Sequence, residues 1–185
     1  TSTFTYTLVG TAPCVTDTSI ATININSQPI AGTDGSTTTC ESSVTTINLF
    51  SLITGEQSGG TWTRTTGTGG TFDAATGTFV PAVGATTSTF TYTLIGTLPC
   101  GNSTATVTVT INPISDAGQD GTLDLCSNNA PQDLFLSLGG SPQTGGTWSP
   151  VLASGTGVFN PAIDTAGVYT YTITGIAPCA NDTSL

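Results

Sequence analysis

Thr87-Ser-Thr-Phe-Thr-Tyr-Thr-Leu94 alternates along its whole length: Phe90, Tyr92 and Leu94 share one face, and Thr89, Thr91 and Thr93 share the other. A period of two belongs to a β-strand with one buried face. The same eight residues open the chain as Thr1 to Leu8. Downstream, Ala105, Val107, Val109 and Ile111 carry an inward phase with Thr104, Thr106, Thr108 and Thr110 outward, and Ala21, Ile23 and Ile25 keep that phase in the first copy. Val44 to Leu52 and Asp133 to Leu138 read as a further strand, denser in apolar residues. No window combines a 3.6-residue apolar period with good helix formers, so the expected fold class is all-β.

The repetition extends beyond the octapeptide. Cys14 to Cys100, Cys40 to Cys126 and Trp62 to Trp148 are each separated by 86 residues. Phe79-Val-Pro81 then matches Phe159-Asn-Pro161 at 80, so the third copy is shorter, by residues expected from the connection Thr65 to Thr71. Pro and Gly cluster at Gln28 to Gly35 and at Pro113 to Gly121, where linkers are expected. The expected organisation is therefore the last two strands of one repeat at 1–27, a complete repeat at 28–113, and a repeat lacking its last strand at 114–185. The first residues show no Met, basic segment or apolar segment of a targeting signal, and Thr1 reads as lying inside a strand of a longer protein.

Composition narrows the function. Of 185 residues 6% are charged, 11 acids against the single base Arg64, for a net charge of −10 with no His. Without His the usual triads, general bases and His-bearing zinc sites are excluded. One Arg cannot neutralise a row of phosphates, which argues against nucleic acid. It argues equally against docking on an anionic membrane, and no apolar run is long enough to insert into one. A non-enzymatic, secreted, acidic β-protein is the expectation. The Thr-rich outer faces read as solvated strand surface, β-branched and uncharged, in preference to an ice-binding array.

Five Cys in such a chain imply disulfides and one left over. Pairing within repeats gives Cys40–Cys100 and Cys126–Cys179, with Cys14 bound to a partner outside the window. Pairing across linkers gives Cys14–Cys40 and Cys100–Cys126. The second scheme separates its cysteines by an eight-residue strand of roughly 26 Å plus a linker, against the ~7 Å that bridged Cα atoms allow, so the first is preferred. Closing a loop of about 60 residues would stabilise each repeat by on the order of 4 kcal/mol.

Asp34, Asp116, Asp120 and Asp124 crowd the linkers. They read as turn formers, with Ca²⁺ ligation as the weaker reading and no other cofactor expected. Asp133 and Glu56 read as solvated. Asn102-Ser-Thr and Asn181-Asp-Thr are glycosylation sequons in equivalent loops, and Asp164-Thr165-Ala166 is similar to an O-glycosylation signal of Bacteroidota. The expected core comprises Trp62, Trp148, Phe90, Tyr92, Tyr169 and Tyr171.

A Trp on a central strand and Asp164-Thr-Ala-Gly-Val-Tyr169, which looks like a tyrosine corner, resemble an immunoglobulin-like or polycystic-kidney-disease-like sandwich. The antibody Cys two residues after that Tyr is replaced by Tyr171. The full string is more specific: Ala-Gly-x-Asp-Gly, Cys, an apolar strand, Gly-Gly-Thr-Trp, Phe-x-Pro-Ala, Tyr-Thr-Tyr-Thr, Pro-Cys and Thr-Val-Thr-Val-Thr-Ile-Asn. It resembles the tandem Ig-like repeats of giant Bacteroidota surface proteins, notably SprB-like gliding-motility adhesins. The resemblance implies type IX secretion, display at the bacterial cell surface, and a structural, adhesive role in a long filament. Its partners would be neighbouring repeats, other filament subunits or surface polysaccharide. The alternative is a carbohydrate-binding β-sandwich module. The sequence also sets the strands the third repeat lacks at the chain's start, so head-to-tail strand addition between copies is expected.

Overall fold

The computed structural model describes residues 1–155 and 157–185. The fold is all-β, with 3₁₀ turns as its helical elements among the described residues. β1 (Ser2–Leu8) and β2 (Asp17–Ile23) form a lone antiparallel hairpin. The complete sandwich follows with β3 (Gly35–Cys40), β4 (Ile47–Asn48), β5 (Thr61–Thr66), β6 (Thr71–Asp73), β7 (Thr78–Val80), β8 (Ser88–Leu94) and β9 (Ser103–Asn112). One sheet runs β3-β9-β8-β5, with β3 parallel to β9, and the other runs β4-β7-β6. This is the immunoglobulin connectivity, two sheets packed over one core.

Binary pattern explains the central strands. Residues of β8 and β9 alternate buried and half-buried, and Phe90, Tyr92, Val107 and Val109 are fully enclosed. On the outer face Thr89, Thr91 and Thr93 stand opposite Thr108, Thr106 and Thr104, pairing branched side chains across the ladder. The sole cation belongs to the fold. Arg64 donates to the Gly69 carbonyl and to Ser88 Oγ, both at 2.6 Å, and lies over the rings of Phe79 and Phe90.

Gly-Gly-Thr-Trp also has a physical reading. Gly59 adopts φ +96°, a left-handed conformation that favours glycine, and a Cβ on Gly60 would stand 2.6 Å from the Tyr92 ring. That approach lets the Tyr92 hydroxyl accept from Gly60 N and donate to the Gln57 carbonyl, each at 2.8 Å. Gly145, Gly146 and Tyr171 repeat the arrangement. Tyr92→Phe strands a donor and an acceptor, and equilibrium urea unfolding is expected to show a loss of about 1–3 kcal/mol.

The remaining elements are β10 (Gln132–Asp133), β11 (Thr147–Ser149), β12 (Val158–Phe159), β13 (Thr170–Ile173) and β14 (Asp182–Ser184), paired β10-β12 and β11-β13-β14. The shortening of this copy removes more than a connection, because no strand equivalent to β6 stands between β11 and β12 among the described residues. Two expected apolar strands are corrected. Val44 to Leu52 and Asp133 to Leu138 give only β4 and β10, each passing into a 3₁₀ turn, Leu49–Leu52 and Leu134–Ser137. Asn48 and Asp133 cap these turns by accepting from Phe50 N and Phe135 N. The local polar cap overrides the extended conformation while Leu49 and Leu134 still reach the core.

The expected core aromatics divide. Trp62, Phe90, Tyr92 and Tyr171 are buried. Trp148 and Tyr169 are half-buried, because the sheets around them are shorter. Tyr169 completes the tyrosine corner, donating to the Thr165 carbonyl at 2.7 Å.

Candidate functional site at the inter-repeat junction

β3 runs parallel to β9 with Cys40 opposite Asn112. Both strands therefore end together, where the chain leaves the complete sandwich through Pro113. Cys40 is bonded there to Cys179 of the following repeat, with Cα atoms 5.0 Å apart across 139 residues of sequence. The expected Cys40–Cys100 and Cys126–Cys179 pairs do not form. Cys100 precedes β9 and Cys40 lies at its far end, and a ten-residue strand spans roughly 33 Å, far beyond the ~7 Å a disulfide allows. The parallel course of β3 decides the pairing.

Polar groups seat the bond. Asn112 Nδ2 donates to the Ala177 carbonyl at 2.8 Å, and the Asn112 carbonyl lies 3.3 Å from Cys179 Sγ. Buried Glu41 accepts from Gly84 N at 2.7 Å and from Ile114 N at 2.9 Å, tying the sandwich to the linker. Its backbone N–H donates to the Asn112 carbonyl. Glu41 was missed in the sequence. The only signal for Asn112 is that Ile-Asn recurs 86 residues apart, at 25–26 and 111–112.

The preceding junction has the same construction without the bond. Asn26 Nδ2 donates to the Leu98 carbonyl at 2.7 Å, and the Cys100 thiol donates to the Asn26 carbonyl at 3.4 Å. Cys14, Cys100 and Cys126 are free thiols, of which Cys14 and Cys126 are exposed.

No family model matches the chain, and no curated protein matches it. The junction therefore carries the functional reading on its own geometry.

The linker acids work on the backbone. Asp34 accepts from Thr106 N, Asp120 from Leu185 N and Asp116 from Gly118 N. The structure does not bring Asp34, Asp116, Asp120 and Asp124 together, and no group of three His, Cys, Asp or Glu side chains converges among the described residues. Asn102 and Asn181 are exposed in the loops before β9 and β14, where their side-chain oxygens accept from Gly96 N and Gly175 N. Thr165 is exposed as well.

A cleft of about 660 Å³ opens in the third repeat, with Leu123, Leu125, Trp148, Phe159 and Tyr169 in its lining. Asp164 also lines it. Burial pushes its carboxyl upward, but N–H donors from Asn160 and Ser154, the Ser154 hydroxyl and Ala153 N outweigh that effect and hold it below the ordinary value of 3.8. A depressed carboxyl stabilises the fold fully above its ordinary value and loses that contribution as pH falls through the folded-state value. Urea unfolding of the third repeat is thus expected to weaken below about pH 4, with a smaller drop in Asp164→Asn.

Proposed function

We propose that this chain is a load-bearing segment of a long extracellular adhesive filament, built from sandwiches latched end to end, with no catalytic role. The observation that supports it most is the Cys40–Cys179 bond, which joins one repeat to the next instead of closing a loop within either. A catalytic or sugar-binding unit has no need of such a joint, whereas a chain under tension does: the bond keeps residues 41–178 from extending. Glu41 and Asn112 fix the joint's direction as well as its length. The disulfide is compatible with an oxidising, extracellular location, and no helix among the described residues is long and apolar enough to cross a membrane. The carbohydrate-module alternative is less well supported, because in the complete repeat Trp62, Phe79, Phe90 and Tyr92 are buried and Phe50 and Phe72 half-buried, leaving no exposed ring as a stacking platform. Surface display, type IX export and gliding belong to the same proposal through the resemblance of the repeats.

Single-molecule stretching between Thr1 and Leu185, paired with a glycan array, tests this. Without reductant residues 41–178 should stay shielded, and reductant should release roughly 480 Å at about 3.5 Å per residue. The array should show no saturable binding. Full extension without reductant, or tight binding of one glycan, would overturn the proposal.

A further inference from the structure

Each repeat carries a loop of one spacing: Gly10, Cys14 and Thr16; Gly96, Cys100 and Asn102; Gly175, Cys179 and Asn181. The loop folds on itself in the same way in all three copies. A turn inside it takes the cysteine N–H to the carbonyl three residues back, Thr11, Thr97 or Ile176, at 2.9 Å each time. A side chain then closes the base. Gly175 N donates to Asn181 Oδ1 at 2.9 Å, Gly96 N to Asn102 Oδ1 at 3.0 Å, and Gly10 N to Thr16 Oγ1 at 3.3 Å. A Cβ on Gly175 would stand 2.5 Å from the Cys179 carbonyl, so a closure this tight requires glycine. Other groups hold the loop from outside: Asn112 of the preceding repeat donates to the Ala177 carbonyl, and Asp182 accepts from Ala117 N at 2.7 Å. These ties place the loop as a body. The closure between Gly175 and Asn181 fixes Cys179 within it.

We infer that Asn181 is a positioning residue for the Cys40–Cys179 bond, because it closes the loop into a mount that holds Cys179 where Cys40 arrives. Its hydrogen bond goes to Gly175 and to neither cysteine. Residues 174–181 connect β13 to β14. Left open, a connection of that length spreads the Cys179 thiol over many positions and lowers its effective concentration at Cys40. Closed, it has lost that freedom before the sulfurs meet. Asn102 and Asn181 thus have a role independent of any glycan. Thr16 performs the closure in the first copy, where no Asn stands. The inference rests on reading the joint as a disulfide latch.

Equilibration of the whole chain with graded ratios of reduced to oxidised dithiothreitol tests it, with the Cys40 and Cys179 peptides read by alkylation and mass. In the exchange the reagent gives up two electrons and two protons and leaves as a cyclic disulfide, and Cys40 and Cys179 become two thiols. In Asn181→Ala the midpoint should move about three- to tenfold toward easier reduction, the worth of one hydrogen bond. Asn181→Thr should recover most of the parent's value while removing any acceptor for an N-linked glycan. Asn102→Ala opens the equivalent loop around a free thiol and should leave the midpoint unmoved. No shift in Asn181→Ala, an equal loss in Asn181→Thr, or an equal shift in Asn102→Ala would overturn the inference. A parent chain with no Cys40–Cys179 bond before any reductant is added would overturn the latch itself, and the mount with it.

Discussion

Cys40→Ser is expected to split one unfolding transition into two. In the oxidised chain the bond spans 139 residues, and a closure of that length removes about 5 kcal/mol of entropy from the unfolded ensemble in the chain-entropy model. The two repeats share the benefit unequally. The complete sandwich encloses a cluster of thirteen buried hydrophobics, whereas among the described residues of the third repeat the core cluster comprises Ala117, Tyr171 and Ile173. The weaker repeat therefore depends more on its anchor. Urea unfolding of Cys40→Ser, followed by Trp fluorescence, should show Trp148 responding several kcal/mol before Trp62. The oxidised parent should report both together. Cys100→Ser breaks no bond and should leave the transition within about 0.5 kcal/mol of the parent.

Phe90→Ala and Phe4→Ala alter the same octapeptide and should differ severalfold in effect. Phe90 is fully buried, with its ring centroid 4.8 Å from Phe72 and 5.0 Å from Phe79. Arg64 also packs over it. Removing the ring leaves a cavity between two sheets and takes one aromatic face from the guanidinium, an expected cost of about 3–5 kcal/mol. Phe4 sits at the same place in the hairpin with nothing over it, and its replacement should change stability by no more than about 0.5 kcal/mol. The pair separates what sequence determines from what burial determines. Equal losses would mean that the hairpin is covered in solution.

The strands that were legible were those whose pattern and tertiary role agree. Thr87 to Leu94 and Ala105 to Ile111 alternate because one face meets a sheet and the other meets water, and the structure follows each phase. Trp62 was legible as a core residue and is buried. Leu49–Leu52 was not, because its run of apolar residues suits either a strand or a tight turn, and Asn48 decides by capping Phe50 N. The cysteine pairing failed for a different reason. It depends on whether β3 runs parallel or antiparallel to β9, and Gly35 to Cys40, mostly Ser and Thr, carries no pattern that reveals this. Glu41 stayed hidden because a lone acid after a Cys is unremarkable in sequence, and only the fold brings Gly84 N and Ile114 N to its two oxygens.

The central claim is that successive sandwiches are joined by sulfur across their linker. Mapping of chymotryptic peptides from the thiol-blocked, unreduced chain tests it most directly. The peptide containing Cys40 should be recovered attached to the one containing Cys179, with Cys14, Cys100 and Cys126 carrying the blocking group. Recovery of Cys40 attached to Cys100 would contradict the account, since each sandwich would then be closed on itself and nothing covalent beyond the backbone would hold one to the next.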